Sequence, residues 1–196
     1  MRKVAILIFD EAEVLDFCGP FEVFSLVGAR SGEKPFEVFI VAESARPVIA
    51  RNGLSVNPHY TIADCPPSDI LILPGGYGTR REMHNQTLID WIRAQAATNE
   101  IVMSVCTGSL LLAKAGLLDG LKATTHFGAI DLLRETAPKA EIQPGRRFID
   151  NGRVLVSAGV SAGIDLSFHI VSRLLGPDIA AETAQWMEYD WKGVFE

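Results

Sequence analysis

Apolar residues gather in short, largely unbroken blocks: Val4 to Phe9, Phe36 to Ala42, Ile70 to Leu73, Ile101 to Val105 and Val154 to Ser157. A strand with one wet face alternates polar and apolar positions, so blocks of this kind predict strands buried on both faces. Between them Phe21, Phe24, Leu26 and Val27, and then Leu88, Ile89, Ile92 and Ala96, recur at helical spacing. Ile164 to Leu175 and Ile179 to Trp191 predict two closing helices, separated by Gly176-Pro177. Strands alternating with helices imply right-handed crossovers, hence an α/β fold: a doubly wound, mostly parallel sheet flanked by helices, flavodoxin-like in type. Two antiparallel excursions are expected. Pro47 to Tyr60 reads as a small β-hairpin turning at Asn52-Gly53, and Arg146 to Arg153 turns at Asp150-Asn151-Gly152. No repeat or Ser/Gly/Pro-rich linker divides the chain, which predicts a single domain over residues 1–196.

Composition narrows the functional classes. The chain has 196 residues and is 48% hydrophobic, enough to bury a sizeable core. Its 24 acidic residues outweigh 18 Lys and Arg, for a net charge of -6, and no basic run exceeds the pairs Arg80-Arg81 and Arg146-Arg147. That leaves little attraction for a phosphate backbone, and nucleic acid is not expected as a direct partner. Asp10 and Glu11 interrupt the first apolar run and no small-residue cleavage site follows, so the start reads as a strand, not a signal peptide. No segment approaches the roughly 18 to 20 apolar residues that span a bilayer, so a soluble protein without a membrane partner is expected. Cys18, Cys65 and Cys106 are odd in number and far apart, with no CxxC or paired His. Neither a disulfide framework nor a zinc site is indicated, and a reducing cytoplasm is the expected location.

In open α/β sheets ligands collect beyond the carboxyl ends of the strands, so candidate chemistry is sought there. Cys106 ends one strand and a helix follows at once, with small Gly108 and Ser109 beside it. Such an elbow aims a nucleophile outward, and the amides of a helix N-terminus favour its thiolate, predicting a lowered pKa. The alternative is a small buried hydrophobe. After another strand, Pro74-Gly75-Gly76 removes side chains where N–H groups must approach an anion. With the N–H of Thr107 it forms a candidate oxyanion hole. After the first strand Asp16 stands between Leu15 and Phe17. It reads either as a helix N-cap or as an acid held partly dry, its pKa raised, close to the thiol. His126 also follows a predicted strand and could face the same crevice. His59, His84 and His169 have no comparable context. Cys18 and Cys65 read as passive, although Cys18 is close enough in sequence to Asp16 to line the same pocket.

Taken together, Leu15-Asp16-Phe17-Cys18-Gly19-Pro20-Phe21-Glu22-Val23-Phe24, Leu73-Pro74-Gly75-Gly76, Val105-Cys106-Thr107-Gly108 and Ser157-Ala158-Gly159-Val160-Ser161-Ala162-Gly163-Ile164-Asp165 resemble the ThiJ/PfpI superfamily. That superfamily has the class I glutamine-amidotransferase-like fold, and the likeness is greatest to its isonitrile hydratase branch. The resemblance implies that Cys106 is the nucleophile and Asp16 its acidic partner, with Gly76 and Thr107 amides facing a bound oxygen. Thr107 stands where peptidase-like members carry His, which argues against proteolysis. Phe127, after His126, stands where regulators of the branch often carry Trp. The implied reaction hydrates an isonitrile to an N-substituted formamide and needs no metal or organic cofactor. The implied partners are a small-molecule substrate and a second copy of the chain, since members are commonly dimers. Trp186, Tyr189 and Trp191 could serve that contact or pack in the core.

Two other readings stay open. One is a ligand-sensing domain related to AraC-type transcriptional regulators, against which stands the absence of a helix-turn-helix or basic region before the chain stops near Trp191. The other is a glyoxalase or stress-response member acting on reactive aldehydes through Cys106. A redox-sensing thiol would draw on the same exposed, acidic cysteine.

Overall fold

The fold follows from the apolar blocks pairing edge to edge. A computed structural model describes residues 1–193; Val194, Phe195 and Glu196, the end of the expected 1–196 domain, lie outside the described residues. The strands are β1 (Arg2–Leu7), β2 (Phe36–Ala42), β3 (Val48–Ile49), β4 (Ser55–Val56), β5 (Tyr60–Thr61), β6 (Ile70–Leu73), β7 (Ile101–Ser104), β8 (Lys122–Ala123), β9 (Glu141–Ile142), β10 (Phe148–Asp150) and β11 (Val154–Ser157). The helices are α1 (Val14–Leu26), α2 (Thr79–Glu82), α3 (Gln86–Thr98), α4 (Gly108–Lys114), α5 (Ile130–Thr136), α6 (Ala162–Leu175) and α7 (Pro177–Trp186). Seven strands form one sheet in the order β10-β11-β7-β6-β1-β2-β5, parallel throughout except for β10. Helices α1, α6 and α7 pack together, as do α2, α3 and α5 around α4, giving a helical layer on each face. The expected α/β architecture, with its mostly parallel sheet and small antiparallel hairpin, is the observed one.

Burial explains the unbroken apolar blocks. Val4 to Leu7, Ile70 to Leu73, Ile101 to Met103 and Leu155 to Val156 lose all exposure beneath helices on both faces. The register aligns Ile6 with Ile72, Ile72 with Met103 and Met103 with Leu155. The loops after β1, β6, β7 and β11 therefore leave the sheet side by side, and the candidate site lies among them. Two close approaches depend on glycine. A Cβ on Gly163 would lie 2.7 Å from Val105 Cγ1, and one on Gly19 would lie 2.8 Å from Ile164 Cγ1. They let α6 settle against the end of β7 and α1 against α6.

Several boundaries differ from the sequence reading. The hairpin is the β3–β4 pair, turning through Arg51–Gly53 with Asn52 and Gly53 at φ 62° and 89°. Tyr60 leaves it, because Tyr60–Thr61 joins the main sheet parallel to β2. The antiparallel excursion expected at Arg146 to Arg153 is the β10–β11 pair, which turns through residues 151–153 and makes β10 the edge of the main sheet. The strand expected before His126 is the short β8, which pairs in parallel with β9 outside the main sheet, and β9 carries too little apolar pattern to be foreseen. Helix α7 stops at Trp186, as Glu188 at φ 51° turns the chain away from helix. Tyr189 and Trp191 then pack against the Phe168 ring at 5.4 Å and 5.6 Å, so of the three aromatics offered for a dimer contact only Trp186 remains exposed. Among the described residues no helix is long and apolar enough to cross a membrane.

The Gly163 contact gives a direct test. Gly163→Ala forces a methyl group into the branched Val105 side chain and is expected to cost about 1–3 kcal/mol of unfolding free energy. Urea denaturation of both proteins measures it, and an unchanged midpoint would show that α6 shifts away at no cost.

Candidate active site

Cys106 lies where β7 hands over to α4, with φ at 56°. A side chain strains in that left-handed region, so tertiary contacts must hold it there. Cys106 N–H donates to the Ala158 carbonyl at 3.1 Å, and the Cys106 carbonyl accepts from Thr125 Oγ1 at 2.8 Å and Ser109 Oγ at 3.2 Å. Gly108 completes the turn, since a Cβ there would meet the Leu73 carbonyl oxygen at 2.1 Å. The loops after β1 and β6 are zipped together through an antiparallel bridge between Ala12 and Gly76, and Glu13 N–H donates to the Gly75 carbonyl at 2.9 Å.

That zipper seats Asp16 against the thiol. Asp16 does not cap α1: Glu13 occupies the N-cap position, and Asp16 lies within the first turn, fully buried. Its Oδ2 accepts the Gly75 N–H at 2.9 Å. Its Oδ1 is buried without a hydrogen-bond partner of ordinary geometry, although the Cys106 thiol and Val160 N–H sit near enough to favour the charged form. Desolvation outweighs these contacts and, with the nearby charge of Glu13, raises the Asp16 pKa to about 7. The lowered thiol pKa expected at a helix N-terminus is not found. Burial, followed by the Asp16 charge, pushes Cys106 up to about 12, and the amides of Thr107 and Val160 offset only part of this. The resting sulfur is therefore a thiol beside a carboxyl that changes charge near neutrality.

The oxyanion-hole expectation is corrected in part. Gly75 N–H is taken by Asp16, and Gly76 N–H donates to Thr107 Oγ1 at 3.0 Å, so neither amide is free in this arrangement. The Thr107 N–H does act on the sulfur, joined by the N–H of Val160, which the sequence reading did not single out. Val160 holds φ at 51°, a strained value for a β-branched residue, and this turns its amide toward Cys106 and Asp16. The run Ser157 to Gly163 marked the segment, but nothing in its composition encodes that amide's direction.

Cys106 and Thr107 share a cavity of about 320 Å³ with Glu13, Gly76, Tyr77, Arg80, His126, Phe127 and Val160. His126 thus reaches the crevice. Its Nδ1 accepts the Gly128 N–H at 3.1 Å, which leaves Nε2 to carry the proton of the neutral ring, and a Cβ on Gly159 would lie 2.3 Å from the ring's Cδ2. Cys18 does not line this cavity, for two positions along a helix from Asp16 turns it away. Burial raises the thiol pKa of both Cys18 and Cys65, as suits passive residues. His59 Nδ1 accepts the Ile40 N–H at 3.0 Å, and His169 Nε2 lies 2.8 Å from Asp150 Oδ2. A larger cavity of about 440 Å³ opens beyond β1 and β2, but it contains no cysteine, and its Arg46 and Arg81 are tied to Asp10 and Glu82. Among the described residues no group of three or more His, Cys, Asp or Glu could hold a metal.

Known proteins resemble this chain in sequence and in fold. The isonitrile hydratase of Pseudomonas putida is 35% identical over 188 residues, covering 95% of this chain and 78% of its own length. The HTH-type transcriptional regulator CdhR of Pseudomonas aeruginosa is 31% identical over 173 residues, covering 83% of this chain but only 51% of the regulator. A ThiJ/PfpI family protein from Pseudomonas syringae superposes with a TM-score of 0.88 at 30% identity, over 100% of this chain and 78% of that one. DJ-1beta of Drosophila melanogaster, at 18% identity and a TM-score of 0.82, shares the fold. The sequence pattern of the DJ-1/PfpI family matches residues 2–173, and the chain belongs to that family.

Proposed function

We propose that the protein hydrates isonitriles to N-substituted formamides, with Cys106 as nucleophile and Asp16 as the group that moves protons. The observation that carries this reading is the buried Asp16 carboxyl, with a pKa of about 7, beside an un-ionised thiol. An isonitrile's terminal carbon must receive both a nucleophile and a proton, and this pair offers one of each. The Cys106 sulfur bonds to that carbon while the thiol proton, relayed through Asp16, arrives on the same carbon, giving a thioimidate. Water then adds to the C=N carbon as the nitrogen takes a proton. The carbon–sulfur bond breaks, sulfur recovers its proton, and the formamide leaves. The Thr107 and Val160 amides steady sulfur as negative charge builds on it. Likeness to the P. putida hydratase supports the same reading.

Turnover of a simple alkyl isonitrile, followed as formamide by NMR, tests it. Cys106→Ala is expected to abolish turnover, and Asp16→Asn to slow it by at least about a hundredfold, as for loss of a positioned proton donor. A wild-type protein with no turnover, or an Asp16→Asn variant at full rate, would refute the scheme.

A second prediction concerns stability. A carboxyl whose pKa is raised by folding holds its proton more tightly in the native state, so stability falls as pH climbs from about 4 through about 7. Above pH 7 the full cost of the buried charge remains. Asp16→Asn keeps an acceptor for Gly75 N–H without that charge. It is expected to melt a few °C above the parent at pH 8.5, with the gap closing at pH 4. Calorimetric melts at the two pH values measure this, and an equal offset at both would show that no charge is being buried.

A further inference from the structure

The cavity over Cys106 is electrically lopsided. Its floor is formed by the buried Cys106 and Thr107, with Glu13 close enough to raise the Asp16 pKa. Its rim carries Tyr77 and Phe127, 58% and 86% exposed, a degree unusual for large apolar side chains. Arg80 stands at the same rim, 5.2 Å from the Tyr77 ring centroid, and Arg51 lies over that ring at 4.2 Å. Arg51 is answered by Glu11 at 3.7 Å. Arg80 is not: among the described residues its contacts are a long hydrogen bond of 3.4 Å to the Gly76 carbonyl and the Tyr77 ring, with no carboxylate in ion-pair range. A guanidinium presents five N–H donors in a planar fork that matches a carboxylate, and Arg80, which lines the cavity, makes one side-chain hydrogen bond among the described residues, the long one to Gly76.

We infer that Arg80 selects a substrate whose substituent ends in a carboxylate, with the flat or apolar body between carried by Tyr77 and Phe127. This rests on the reading of the site as an isonitrile hydratase. The isonitrile carbon goes to Cys106 on the floor, which sends its substituent toward the rim. An anion directed inward would meet Glu13 and Asp16, whereas the same anion directed outward meets Arg80. The charge pattern therefore fixes orientation as well as preference, and the exposed aromatic rings gain cover when the substrate is bound.

The test compares 4-(isocyanomethyl)benzoate with benzyl isonitrile on the wild-type protein and on Arg80→Gln. The expected result is a wild-type preference for the carboxylate in kcat/KM, carried mainly by KM, with the preference falling about tenfold or more in Arg80→Gln. A neutral substrate preferred by the wild type, or a preference ratio unchanged by the substitution, would overturn the inference. A second measurement separates it from the parent reading. Calorimetric titration with 4-methylbenzoate and with 4-methylbenzamide, neither an isonitrile, is expected to show tighter binding of the anion, lost in Arg80→Gln. If neither isonitrile turns over yet the anion still binds through Arg80, the hydratase reading fails and the carboxylate subsite stands. If both isonitriles turn over and anion and amide bind alike, the subsite fails and the hydratase reading stands.

Discussion

A carboxyl kept dry against a thiol is the constraint on which the site depends. Asp16 has no exposed surface, and its one well-formed hydrogen bond comes from a loop that follows a different strand. Burial opposes charge on both members of the pair, so each holds a proton more firmly than it would in water. A dry pair of this kind is a poor structural ornament, since an isolated buried carboxyl costs stability wherever it ionises. The proposed hydration would use it to pass one proton between sulfur and a bound carbon.

Holding that pair together takes strained backbone on two sides. Cys106 and Val160 both occupy the left-handed region, one to lift the sulfur out of the strand-to-helix turn and the other to aim an amide at it. The strain is carried by neighbours: the Ala158 carbonyl and the Thr125 and Ser109 hydroxyls grip the Cys106 peptide. Thr107 binds both the N–H and the carbonyl of Gly76, and Thr79 donates to the same carbonyl at 2.7 Å. The Thr107 hydroxyl next to Cys106 thus organises the adjoining loop. Gly75 fits between them because a Cβ there would lie 2.5 Å from Thr107 N and 2.8 Å from both Asp16 Oδ2 and Cys106 Cβ.

Family membership sets the scaffold and leaves the chemistry to the walls. Relatives of this chain bear names as different as isonitrile hydratase, HTH-type transcriptional regulator and deglycase. A shared sheet edge can present a thiol to many small molecules, and the residues that would choose among them are those at the rim. Here these are Tyr77 and Arg80, from the loop after β6 and the start of α2, and His126 and Phe127, from the segment after β8.

The amino-acid sequence by itself determined the layered architecture. Blocks such as Ile70 to Leu73 are apolar at every position, and only a strand covered on both faces can use them. It also pointed to the loops of the candidate site, because the carboxyl ends of parallel strands must open on one edge and Asp16, Gly75 and Cys106 all follow apolar blocks, whereas His126 follows the short β8 outside the main sheet. What it left undecided were quantities that depend on neighbours far along the chain. Asp16 satisfies local rules equally as a cap or as a buried acid, and only the packing of α1 beneath the Gly75 loop removes it from water. The local rule for Cys106 predicted an acidic thiol, and desolvation together with the Asp16 charge reversed it. The aim of the Val160 amide and the capture of Gly76 N–H by Thr107 arise from backbone angles and loop contacts set by tertiary packing. Patterning is a property of neighbouring residues along the chain, whereas pKa values and amide directions are properties of residues brought together in space.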